Sequence, residues 1–323
     1  MYKLATILTV LTMSAYAAVK IEKTSYQGWP NCYRISNGVV EAIVTGDVGP
    51  RVMRYGFVGG QNLFKEFKEQ LGKSGEPEWQ ARGGHRLWIA PEDPVKSYAP
   101  DNAPVHIEVR GDAIVMIGPV EALTGLEKMI TLRMETSGTG VEVTHQIHNA
   151  AKQPYEFALW ALTMLAQGGT AIHGFPPRGH HPHDLEPTNP LTMWPYTNLA
   201  DSRLRLLQKY LVLRQDPKSA GDAEKLGSYG RDVWGAYLLN GDLFVKQAHA
   251  EAAPAAYPDF GCNFETFTNA DFLELETLGP MRKVAPGEIA AHTEHWSLHQ
   301  NVHIQKWDDA ELDRVLLPLV MGR

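Results

Sequence analysis

The chain has only two cysteines in 323 residues, Cys32 and Cys262. That excludes the dense disulfide framework of small secreted domains. Two thiols allow at most one bridge, and the alternative is a pair of buried free thiols that pack as small hydrophobes. Basic charge is also scarce: 30 Lys+Arg stand against 37 Asp+Glu, a net of −7, which becomes 29 against 37, or −8, if residues 1–17 with their single Lys3 are removed. Without a basic face there is no footprint for a phosphate backbone, so no nucleic-acid partner is expected. Beyond residue 18 no apolar run approaches the ~20 residues of a spanning helix, so no membrane partner is expected after that point. GxSxG, P-loop, post-strand GxGxxG and HExxH patterns are all missing. Serine hydrolase, nucleotide-binding and zincin readings therefore lack support, and no cofactor or metal is expected.

What is there begins at the N-terminus. Met1-Tyr2-Lys3 precedes an apolar run from Leu4 to Met13 and then Ala15-Tyr16-Ala17, the layout of a cleavable secretory signal. The expectation is a leader over 1–17 and a periplasmic or secreted mature chain. No Pro/Ser-rich linker, charge run or composition shift divides residues 18–323, which are expected to form one domain.

Strand signals dominate. Val105 to Arg110, Ala113 to Ile117, Met129 to Arg133 and Val141 to Ile147 alternate or run apolar between Gly, Asn and Pro breaks. Similar runs read at Val39 to Thr45, Tyr155 to Leu162, Val233 to Leu239, Leu243 to Gln247, Phe272 to Leu278 and Ala291 to Leu298. Few amphipathic helices intervene, so the fold class is all-β, a large antiparallel β-sandwich. Asp308 with Glu311 predicts a capped C-terminal helix that Pro318 ends or kinks. Residues 201–214 suit either helix or strand, and Gly168 to Pro190 reads as a long surface loop.

Four groups of residues offer chemistry. In Phe272-Leu-Glu-Leu-Glu276 the period of two sets Leu273 and Leu275 on one face and Glu274 and Glu276 on the other, about 6.5–7 Å apart. Such a carboxylate pair suits proton transfer on a sugar, or is simply a solvated face. Gly83-Gly-His-Arg-Leu-Trp-Ile-Ala-Pro-Glu92 presents His85, Arg86 and Trp88; an extended backbone turns His85 and Arg86 opposite ways. His180, His181, His183 and Asp184 crowd one loop, which reads as a solvated polar loop, the alternative being a transition-metal site on His181 and His183. In Ala291 to Leu298, His292, Glu294 and Trp296 share a face expected to be largely buried, where Glu294 needs a partner.

Leu273-Glu-Leu-Glu-Thr-Leu-Gly-Pro280, Val284-Ala-Pro-Gly-Glu288 and Thr293-Glu-His-Trp296 together resemble the C-terminal signature of galactose-mutarotase-like sandwiches. Gly83 to Trp88, with Asn37-Gly38 and Gly49-Pro-Arg51, resembles a bacterial branch of that superfamily. The resemblance implies a saccharide ligand, with a late-strand Glu as base on the anomeric hydroxyl, a His as acid on the ring oxygen and an Arg holding the sugar. By motif Glu276 matches the base and Arg86 the Arg, with Glu274 beside them. The His position is not matched: the turn Asn149 to Pro154 leads into Glu156 to Thr163, which contains no His. Either His85 or His173 supplies the acid, or the protein binds sugar without converting it, with Trp88, Trp160, Thr163, Trp194 and Tyr196 lining the cleft.

Overall fold

A computed structural model describes residues 18–219 and 223–322. The expected leader over 1–17 lies outside the described residues. Two large antiparallel sheets face each other. The first runs, in spatial order, Lys20–Tyr26, Trp29–Ser36, Val40–Thr45, Arg51–Phe57, His85–Ala90, Tyr155–Leu165, Leu273–Leu278, Phe264–Thr268, Glu224–Ser228 and Leu191–Met193, with Arg282–Val284 paired to the start of Tyr155–Leu165. The second runs Leu204–Leu206, Tyr210–Arg214, Thr170–Gly174, Asp232–Leu239, Asp242–His249, Ile289–His299, Val141–Asn149, Leu126–Met134, Ala113–Ile117 and His106–Arg110.

Alternation explains the packing. Leu126–Met134 and Val141–Asn149 bury every second residue against the first sheet and leave the others half in solvent. Tyr55, Phe64, Phe244 and Trp296 meet between the sheets with ring centres 5.6 to 6.4 Å apart. The central strands of the first sheet behave differently. His85–Ala90 and Leu273–Leu278 are buried on both faces, because loops wall the outer side as well.

One open reading is settled and two local expectations are corrected. Residues 201–214 form two short strands, since both segments find pairing partners that a lone sequence window does not reveal. The Gly168 to Pro190 segment begins as the strand Thr170–Gly174, bonded on both sides, and becomes irregular only from Phe175. Asp308 does accept from the Glu311 N–H at 2.9 Å, but the helix Asp309–Met321 continues past Pro318. Leu312, Leu316 and Val320 seat it on Ile172, Trp234 and Val245 of the second sheet, and that burial offsets the missing backbone bond. Cys32 and Cys262 are both free and buried.

Candidate functional site

Register builds the site on the outer face of the first sheet. Arg86 lies opposite Leu162, Leu162 opposite Glu276, and Glu276 opposite Glu265. The flanking rows carry Trp88 beside Trp160, and Glu274 and Lys225 on either side of Phe267. One residue away from each along the chain, the inward rows hold His85, Thr163, Leu275, Thr266 and Leu226. Gly83 and Gly84 bring the Arg86 strand in: both have positive φ (96° and 74°), and a Cβ there would meet Lys65 O at 1.9 Å and Val52 O at 2.4 Å.

Lys225 is the hub. Its ammonium lies 2.7 Å from Glu265 Oε2 and 3.2 Å from Glu276 Oε2, with the Trp160 and Trp194 rings 4.6 and 4.7 Å away. Trp160 Nε1 donates to the same Glu276 oxygen at 2.8 Å. Arg86 Nη1 is 3.0 Å from Glu274 Oε1, off hydrogen-bonding alignment, and its guanidinium lies over Trp88 (4.4 Å) and Trp79 (5.4 Å). Tyr98 packs on Trp88 and donates to Glu92 at 2.7 Å. Above this floor opens a hollow of about 610 Å³ lined by Pro91, Glu92, Pro94, Tyr98, Trp194 and Asp259. Asp259 reaches it from a left-handed turn, with φ of 51° and then 59° at Phe260, a conformation that costs non-glycine residues about 1–3 kcal/mol each.

Burial in this cluster shifts proton affinities. Desolvation, helped by the charge of Glu276 and opposed by Arg86, raises the Glu274 carboxyl to about 7. Burial also pushes Glu265 well above the carboxylate range despite Lys225. Burial acts to lower Lys225, but Glu265 and Glu276 outweigh it and hold the ammonium firmly charged. Several buried polar atoms here have no hydrogen-bond partner in the protein: Glu265 Oε1 and Oε2, Glu274 Oε1, Glu276 Oε1, Arg86 Nε and Nη1, and Trp79 Nε1. Native interiors rarely leave such atoms unmatched, and their clustering beside the hollow makes this face a candidate ligand site.

Comparison with solved structures fits this architecture. A provisionally assigned aldose 1-epimerase from Klebsiella pneumoniae superposes with a TM-score of 0.58 at 13% identity, covering 93% of this chain and 87% of that one. A galactose mutarotase-like protein from Clostridium acetobutylicum gives 0.54 at 10% identity over 88% of this chain and 99% of its own. A similar protein from Lactobacillus casei gives 0.53 at 10% over 83% and 100%. The chain has the galactose-mutarotase-like fold. No protein-family model and no curated protein matches it.

Within this mutarotase-like sandwich the sequence-derived residues divide. Glu274, Glu276, Arg86, Trp88 and Trp160 cluster on the outer face beside Trp194, which lines the hollow, and Tyr196 stands close enough for Lys225 and Glu276 to act on its hydroxyl, which burial pushes up to about 12. His85, Thr163 and His173 do not reach that face, and the expectation that they do is corrected. The odd-numbered positions of the strand turn His85 and Thr163 between the sheets. There Thr163 Oγ1 bonds His85 Nδ1 at 2.8 Å, and His85 Nε2 bonds His145 Nε2 at 2.6 Å. His173 is stacked on Phe264 at 4.1 Å, also between the sheets, with Nδ1 on the Trp234 carbonyl. The His180 to Asp184 loop is exposed and closed by its own turn bonds.

His85, His145 and Glu294 do bring ligand atoms within 4.8 Å of one another. The cation of that cluster is already supplied. Lys246 sits 2.9 Å from Glu294 Oε1, Thr277 donates to the same oxygen, and Trp296 Nε1 donates to Oε2 at 2.9 Å. The His145 Nδ1–H donates to the His292 carbonyl at 3.1 Å, which leaves its Nε2 to accept from His85. The donor set is spent on the protein itself and does not fit a metal.

Sequence reasoning missed Lys225, Glu265, Asp259, Trp79 and Tyr98. Lys225 and Glu265 occupy five-residue strands too short for alternation to stand out. The lone signal was Glu265 between Phe264 and Phe267.

Proposed function

We propose that this protein binds a saccharide ring in the outer-face cleft and interconverts its anomers, with Glu276 as base and Glu274 as acid. The observation that carries the proposal is the set of buried, unpartnered carboxylate and guanidinium atoms gathered between Trp88, Trp160 and Trp194. Stacking on tryptophan suits the apolar face of a sugar, and the unpartnered atoms suit its hydroxyls. Glu276 removes the proton from the anomeric oxygen while the C1–O5 bond breaks, and protonated Glu274 delivers a proton to the ring oxygen. Rotation about C1–C2 and reclosure by the reverse steps give the other anomer. Glu274 thus takes the place of the histidine that the family resemblance implies, because burial keeps it protonated up to about neutral pH.

The test is exchange spectroscopy of anomeric protons with a panel of neutral aldoses. Wild-type protein is expected to accelerate exchange and Glu276→Gln to abolish it while sugar still binds; unaccelerated exchange across the panel removes the catalytic step. A second reading, a saccharide-binding module without turnover, is favoured by the partners of Glu276, which among the described residues are Trp160 and Lys225 and no histidine. It predicts sugar-induced melting shifts that persist in Glu276→Gln and vanish in Trp194→Ala. The same reading includes export, tested by N-terminal sequencing of the mature chain, which is expected to begin at Ala18.

A further inference from the structure

We infer that the hollow holds a second sugar ring, so that its ligand is a neutral oligosaccharide of at least two rings rather than a single hexose. The inference rests on the saccharide reading above and adds the length of the ligand. The hollow of about 610 Å³ is of the size that takes a drug-sized ligand, and one hexose fills only part of it. Its lining supplies the proline rings of Pro91 and Pro94 and the aromatic rings of Tyr98 and Trp194, while Glu92 and Asp259 offer carboxyl oxygens to hydroxyls. None of these lining residues is cationic, so the wall offers no charge to pair with a phosphate or a carboxylate on the second ring.

The walls continue outward from the buried cluster. The Trp194 ring stands 4.7 Å from the Lys225 ammonium and also lines the hollow, and Tyr98 does the same while packing against Trp88 and Trp79 at 4.6 and 5.3 Å. Both walls are fixed before any ligand arrives. The Trp194 N–H donates to Thr197 Oγ1 at 2.8 Å. The segment from Pro91 to Tyr98 is closed by Asp93 Oδ1, which accepts from the Val95 and Lys96 N–H groups, and by Ser97 Oγ, which donates to the Ile89 carbonyl. Such a wall has little left to order on binding, which favours affinity. Next to Asp259 the chain holds Phe260 91% exposed in a left-handed conformation (φ 59°), so neither packing within the fold nor backbone preference accounts for a phenyl ring there. Strained positions of this kind gather at ligand clamps, and a sugar ring at the rim beside Asp259 gives Phe260 an apolar face to stack on.

Titration calorimetry with glucose, maltose, cellobiose and lactose tests the length, because all of them present the same reducing ring. At least one disaccharide is expected to bind at least about tenfold more tightly than glucose, the effect of one added stacked ring. The double variant Pro94→Ala/Phe260→Gly changes two exposed positions, and Phe260 already has the φ that glycine favours, so folding is not at stake. It is expected to lose more affinity for that disaccharide than for glucose. Glucose binding as tightly as every disaccharide, or a double variant that loses no more affinity for the disaccharide than for glucose, overturns the second ring and leaves the saccharide reading standing. Binding of none of these sugars overturns both.

Discussion

Two clusters of buried charge lie on opposite sides of the first sheet, one on its outer face and the other between the sheets, where strands of the second sheet carry it. Between the sheets, Lys246 and Glu294 are fully buried, and each is matched: Lys246 donates to Glu294 and to the carbonyls of Ala161 and Leu275, while Glu294 accepts from Thr277 and Trp296. On the cleft side, Glu265, Glu274, Glu276 and Arg86 are just as buried and leave atoms unmatched. Burial of charge is therefore not the mark of a site in this molecule. The two clusters differ in pairing: the closed network has nothing left to offer a ligand, whereas the open one, where four unmatched charged side chains lie together, gains by binding one.

The largest expected effect breaks the closed cluster. Lys246→Met or Glu294→Gln alone is expected to cost about 3–5 kcal/mol in chemical denaturation, since each leaves an uncompensated group between the sheets. The double substitution is expected to recover much of that loss; a double variant as unstable as the sum of the singles contradicts the closed network.

The two clusters are also expected to respond oppositely to pH. Glu274 is raised in the folded chain from 4.5 to about 7, so its contribution to stability falls as pH rises across that interval, by on the order of 3 kcal/mol, and no further above it. Between the sheets, burial lowers His145 from 6.5 to about 4 and holds His85 well below the usual imidazole range, so that cluster loses stability as pH falls below 6.5. Denaturation midpoints across pH read both slopes, and Glu274→Gln is expected to flatten only the one between 4.5 and 7. Glu265, raised as well, keeps part of that slope; a slope left unchanged by Glu274→Gln shows that the raised carboxyl is not Glu274.

The smallest effect concerns the thiols. Cys262 packs against Thr192 beneath the cleft wall and Cys32 near Trp29, and both are free. Reductant is expected to leave the melting temperature unchanged, and a measurable drop signals a bridge instead.

Much of the fold was legible in the strands long enough to show alternation, such as Val141–Asn149 and Ile289–His299. The short strands around Lys225 and Glu265 were not, because five residues seldom establish a period and their partners come from distant segments. Within the site, Glu276 and Arg86 could be read by motif, whereas His85 was misplaced in function although its opposition to Arg86 followed from the backbone.

The sequence by itself determined which residues share a face: Glu274 with Glu276, away from Leu273 and Leu275, and His85 away from Arg86. That follows from the pleat, a local property of extended chain. Only the tertiary structure decided which face opens to a walled hollow and which closes against the second sheet. It also decided that Lys225 and Glu265 complete the cluster, because pairing between distant strands is set by how the two sheets bury their apolar faces, not by any segment alone.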